Sequence, residues 1–130
     1  MGVAKGKKVG QTEDGRLCPI RYMTDVFGGK WKLPIICMLS SGKALRYSTI
    51  KRRLGDITNV MLSQSLKRLE AADIVSRRQY NEVPPHVEYA LTEKGKSVLP
   101  ALGQLAGWAA QSMQQETACE SNCERCISTE

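Results

Sequence analysis

TNVMLSQSLKRLEAAD, residues 58–73, carries leucines at 62, 66 and 69, an i, i+4, i+7 stripe that a helix gathers on one side. Thr58 stands just ahead of the pattern, where a threonine hydroxyl caps a first turn by accepting one of its free amides. The side opposite the leucines holds Asn59, Val60, Ser63, Gln64 and Lys67. Two readings of that side stand open: a merely solvated polar face, or a ridge offering amide and hydroxyl groups to a partner. Its neighbours bear on the choice.

Upstream, LRYSTIKRRLG (45–55) reads as a strand of two or three residues, then Ser48 as an N-cap and a short helix. Ile50 and Leu54 face inward in that helix, and Lys51, Arg52 and Arg53 mostly outward. The loop GDI joins it to the leucine helix. Downstream, IVSRRQY (74–80) and HVEYALT (86–92) alternate as strands do, joined by NEVPP, and form a hairpin. Pro84 and Pro85 fix their own backbone, bias the preceding residue toward an extended form, and offer no amide to a neighbouring strand. The tip is therefore a stiff, protruding arm. Two helices on a tight loop followed by such a hairpin is the order of a winged helix-turn-helix, a mainly α (α+β) fold with a two-stranded wing.

The flanks add helices. CPIRYMTDVFGG (18–29) places Pro19 in a first turn, spaces Ile20, Met23 and Phe27 helically, and ends at Gly28 and Gly29. KWKLPIICMLSSG (30–42) puts Trp31, Ile35, Ile36 and Leu39 on one side and stops at Gly42; Pro34 requires a start near Lys30. TEKGKSVLPALGQLAGWAAQSMQQ (92–115) reads as one final helix capped by Thr92. Its stripe of Val98, Leu102, Leu105 and Trp108 exceeds what a compact core covers, which points to a partner subunit, with packing on the same chain accounting for part.

At 130 residues the chain is one domain with a single modest core. Hydrophobic residues make up 42% and charged ones 25%, which fits a folded, soluble protein. No run of eighteen apolar residues exists, and no apolar stretch follows the basic N-terminus, so the expectation is a cytoplasmic protein without signal peptide or membrane span. The expected division is a flexible basic segment (1–16), a folded domain (17–115) and an acidic, cysteine-containing tail (116–130). Nine basic and three acidic residues lie between Lys43 and Arg78, so this segment carries the chain's whole excess of +6. A polyanion is the natural partner, and nucleic acid precedes membrane because no amphipathic helix here has a large exposed apolar face. Double-stranded DNA precedes RNA, since stacking aromatics are scarce and Tyr47 and Tyr80 are expected in the core.

On that reading Asn59, Val60, Ser63, Gln64 and Lys67 face base edges behind the Thr58 cap. Phosphate contacts come from Ser48, Thr49, Lys51, Arg52, Arg53, Arg68, Arg77 and Arg78. His86 adds a wing contact that is cationic only in acid. The rival is a winged-helix scaffold that binds protein and no DNA. An enzyme finds no support: there is no P-loop, no GxSxG, and a single histidine.

The stretches LCPIRYMTDVFGGKWKLPII, LRYSTIKRRLGDITNVMLSQSLKRLEAADIV and EVPPHVEYALTEKGKSVLP resemble the HxlR family of bacterial transcription regulators, a MarR-like branch of winged-helix proteins. The most specific elements are Cys18-Pro19, GGKW (28–31), MLSQSLKRLE (61–70) and VPPHVEYALT (83–92). The resemblance implies a homodimer built through the first and last helices, a reading helix over 58–71, a hairpin wing, and operator DNA with two related half-sites. It departs from the family pattern at His86, where many relatives carry arginine, at Pro34, and in the tail after Gln115, which has no counterpart there.

Five cysteines in a chain with no secretory signal read as thiols or metal ligands rather than a disulfide framework. Cys18, at a helix start between Arg16 and Arg21, is the candidate thiol sensor, a role some relatives give this position; a packing residue is the alternative. Cys37 reads as core. Cys119, Cys123 and Cys126 form a C-x3-C-x2-C array that could hold zinc or an iron-sulfur cluster, or be an accidental feature of a tail whose Glu116, Glu120 and Glu124 oppose thiolate formation.

Overall fold

In the computed structural model of the chain, residues 9–113 are described. Helices α1 (Pro19–Phe27) and α2 (Lys32–Met38) come first, the latter tightening into a 3-10 turn at Leu39–Ser41. Strand β1 (Leu45–Arg46) leads straight into α3 (Tyr47–Leu54), and α4 (Asn59–Ala71) follows. Strands β2 (Val75–Tyr80) and β3 (His86–Leu91) make the wing, and α5 (Glu93–Ser97) and α6 (Leu99–Ser112) close the described chain. This is a winged helix-turn-helix.

The leucine stripe explains the core. Leu62, Leu66 and Leu69 are buried together with Ile35, Ile36 and Leu39 from the α2 segment, Ile50 and Leu54 from α3, and Val75, Tyr89 and Leu91 from the sheet. Pro34 falls in the first turn of α2, where its missing amide costs no hydrogen bond; the helix begins at Lys32, two residues later than the sequence placed it. Cys37 is only half-buried.

Several expectations are corrected. β1 is a third strand of the sheet: it pairs antiparallel with β3, Arg46 opposite Glu88, giving the order β1-β3-β2. Because Arg46 is extended by that pairing, with ψ 152°, it takes the N-cap position of α3; Ser48 lies one residue inside the helix and caps nothing. The long final helix is two helices. Pro100 lacks the amide that would bond back to Lys96, so the chain turns at Val98 and restarts with Pro100 in the first turn of α6. On α1 the buried residue is Val26, while Ile20 and Met23 are exposed. Ordered structure also begins before Cys18: the Gly10 amide donates to Asp25 Oδ2 at 2.8 Å, and the Cys18 amide to Gly10 O at 3.0 Å. Residues 1–8 of the expected flexible segment lie outside the described residues.

The wing is tied to the helices at Thr92. Its hydroxyl accepts from the Gly95 amide at 2.9 Å and lies 2.6 Å from Asp73 O, while its own amide donates to Ile74 O at 3.0 Å. Gly95 then packs so closely that a Cβ there would sit 2.2 Å from the Ile74 carbonyl oxygen. Backbone cannot yield as a flexible side chain does. Gly95→Ala is therefore expected to lower unfolding free energy by about 1–3 kcal/mol at unchanged urea m-value, despite alanine's better helix propensity; a neutral or stabilising result would contradict the packing described.

Candidate nucleic-acid interface

The short turn between α3 and α4 bends at Gly55, whose φ of +83° and ψ of −93° suit glycine alone. Thr58 then caps α4 as expected, its Oγ accepting from the Met61 amide at 3.1 Å. With the leucines inward, Asn59, Val60, Ser63, Gln64 and Lys67 are all exposed, so the polar ridge exists as a surface. One residue that orients it is Tyr47, which the sequence assigns to the core and which does pack against the core, half-buried. The Tyr47 hydroxyl lies 3.2 Å from both Asn59 Oδ1 and Ser63 Oγ, and 3.3 Å from Asn59 O. The first residue of α3 thereby holds the first turn of α4. Its signal was the choice of tyrosine over phenylalanine, since a buried phenol needs a partner.

Exposed cations frame the ridge. Arg52 and Arg53 project from α3 beside exposed Ser48, with Lys51 and Thr49 half-buried; Arg68 is exposed on α4. Arg77 and Arg78 are exposed on β2, but successive strand residues point to opposite faces. The arginine pair is therefore split: Arg77 stands opposite Tyr89, and Arg78 opposite Glu88.

His86 does not stand out as a wing-tip cation. Its side chain is 15% exposed, its ring stacks on Tyr80 at 4.7 Å, Nε2 lies 3.2 Å from Glu88 Oε2, and Nδ1 lies 3.9 Å from Glu82. Two carboxylates and a ring occupy it at the base of the loop. The tip itself is Val83, Pro84 and Pro85, all exposed.

Cys18 occupies the N-cap position of α1, half-buried and without a side-chain cap bond. Arg16, expected to flank it electrostatically, is committed elsewhere: its Nε donates to Asp14 at 2.9 Å. That guanidinium, aided by the Thr12 hydroxyl, holds the Asp14 carboxyl at about 2. The expected metal ligands Cys119, Cys123 and Cys126 lie outside the described residues, and among the described ones no group of three or more histidine, cysteine or acidic residues could hold a metal. Apolar side chains are exposed on the first and last described helices: Ile20 and Met23 on α1, Leu105 and Trp108 on α6. Among the described residues no helix is long and apolar enough to cross a membrane.

The profile described as HxlR-like helix-turn-helix matches residues 26–117. The chain belongs to the HxlR-like family. An HTH-type transcriptional regulator of Methanothermobacter thermautotrophicus is 48% identical over 96 residues, covering 74% of this chain and 72% of that protein. The crystal structure of the HTH-type regulator YtcD superposes with a TM-score of 0.72 at 39% identity, over 76% of this chain and all of that one. The redox regulator HypR in its oxidised form gives 0.66 at 40% identity, over 73% and 96%. This HxlR-like chain is thus a helix-turn-helix protein of a transcription-regulator family.

Two features of the HxlR-like framework were not legible beforehand, and both are testable. Lys32 is 6% exposed, its ammonium donating to Asp25 O at 3.3 Å. Burial pushes its pKa below the ordinary 10.5, nearby Arg68 pushes further, and Asp25 opposes. Below the depressed value the ammonium is charged folded and unfolded, and its penalty is fully present. As pH rises through the depressed value toward 10.5, the native state sheds its proton first and gains stability. The stability difference favouring Lys32→Met should therefore shrink between pH 7 and pH 10 in paired urea titrations; a constant difference would contradict the assignment. For Tyr47, a double-mutant cycle of Tyr47→Phe with Ser63→Ala should yield a coupling of about 0.5–1.5 kcal/mol. Strict additivity would show that the hydroxyl does not hold the ridge.

Proposed function

We propose that this protein binds double-stranded operator DNA sequence-specifically as a homodimer in the cytoplasm and represses transcription. The observation that carries the reading is the exposed ridge of α4, its first turn held by Tyr47, together with exposed arginines on α3, α4 and the wing. A helix about 10–12 Å across with its side chains fits a major groove about 12 Å wide. Amides at Asn59 and Gln64 can address an adenine edge through donor and acceptor together, Ser63 either base type, and Val60 a thymine methyl. On this reading Ser48, Thr49, Lys51, Arg52 and Arg68 contact the phosphates that flank an inserted α4, and Arg77 contacts one from the wing.

The exposed apolar residues of α1 and α6 support self-association, since a monomer gains nothing by presenting Trp108 at 65% exposure beside Leu105. A two-fold dimer would place the two α4 helices on half-sites about 34 Å apart, one turn of DNA. HypR, a redox regulator by name, supports a further reading in which the half-buried thiol of Cys18 sets the DNA affinity of this chain in response to oxidants. The tail cysteines are left out of that reading.

The scaffold alternative separates cleanly. DNA affinity should fall steeply with salt, and Lys67→Ala and Arg77→Ala should each reduce the slope of log K against log salt by about one. Gln64→Ala should instead leave the slope unchanged and lose about 1–3 kcal/mol of discrimination at one base position. Binding indifferent to salt, or no duplex binding at low ionic strength, would favour a protein-interaction scaffold.

A further inference from the structure

On the flank of α4 that faces the junction of α1 and α2 lies a cleft of about 190 Å³. Lys30, Trp31, Lys32, Met61, Gln64 and Arg68 contribute to its walls, and no carboxylate does. Three cations thus share the lining, with Asp25 behind it the carboxylate that acts on Lys32, and their donors are incompletely used. Lys32 is buried as a residue, and its ammonium has three N–H groups and, among the described residues, one acceptor, Asp25 O at 3.3 Å. The indole N–H of Trp31 is buried with no hydrogen-bond acceptor among the described residues. Lys30 lies over the Trp31 ring, 4.8 Å from its centroid, adding positive potential on the same side. Buried donors are ordinarily satisfied, so these await an acceptor.

We propose that this cleft binds a small organic carboxylate, its charged head taken by Lys32 and Arg68 and its apolar body lying on Trp31 and Met61. Size agrees: a protein cavity of about 150 Å³ holds benzene, so the cleft admits one ring bearing a carboxylate. An apolar wall with a few convergent donors is the usual chemistry of small-molecule sites. The location gives the ligand leverage. Gln64 belongs both to the cleft and to the exposed ridge, and Arg68 both to the cleft and to the cation border. A bound carboxylate competes with DNA for both side chains, a consequence that rests on the DNA reading; the binding itself does not.

Sodium benzoate is the probe, and the indole N–H resonance of Trp31, distinguished from that of Trp108 by a Trp108→Phe variant, is the readout in the absence of DNA. The expected result is a saturable shift with benzoate, none with benzyl alcohol or with sodium chloride at equal ionic strength, and at least tenfold weaker binding in Lys32→Met. If Lys32→Met gives a poorly dispersed spectrum, Arg68→Gln serves the same comparison. No shift, an equal shift with benzyl alcohol, or undiminished affinity in both variants overturns the proposal. Adding benzoate to a protein–duplex complex then tests the consequence separately: intact benzoate binding with unchanged duplex affinity removes the competition and leaves the site, while a chain that binds no duplex sinks the DNA reading alone.

Discussion

Burial of Leu62, Leu66 and Leu69 fixes the rotation of α4 about its own axis, and nearly everything functional in the molecule depends on that angle. α4 packs on α1, α2 and β2 through those side chains, which leaves Asn59, Ser63, Gln64 and Lys67 no direction but outward. A quarter-turn either way would bury a polar group or expose a leucine, and each would cost on the order of 1–3 kcal/mol. Core packing therefore aims the ridge. Tyr47 refines the aim, and the bond between Thr92 and Ile74 carries the same rigidity into the wing.

The parts that could be read from the sequence are those set by local pattern. The Thr58 cap, the leucine stripe, the hairpin strands and the outward Arg52 and Arg53 follow from periodicity and from a hydroxyl beside a helix start. The parts that could not be read depend on contacts between distant segments. Arg46 displaced Ser48 from the capping position because β1 pairs with β3, about forty residues later in the chain. The packing of Tyr47 on the core was legible, but its hold on the ridge was not, because its hydrogen-bond partners sit on another helix. His86 reads from the sequence as a wing contact that is cationic only in acid; the ring of Tyr80 meets it across the hairpin, a contact the sequence does not announce, whereas Glu88 stands two residues on along the same strand. The break at Val98 was the avoidable error, since Pro100 announces it.

Charge and apolar surface divide the labour. The positive excess surrounds the α3–α4 unit, while the exposed apolar side chains of α1 and α6 lie outside it, so reading and self-association draw on separate residues. The cleft at Lys32 sits between these roles: its cations come from the α1–α2 junction and from α4, and the same helix presents the ridge. A small ligand there would act on Gln64 and Arg68 directly, without requiring a long-range change of shape.

The most direct test of the central claim is a backbone amide map of the intact protein with an operator-length DNA duplex at low ionic strength. The account predicts the largest chemical-shift changes at residues 47–49, along the exposed side of 59–67, and at Arg77 on the wing, with the buried leucines little affected. Changes confined to α1 and α6, or none at all, would contradict it.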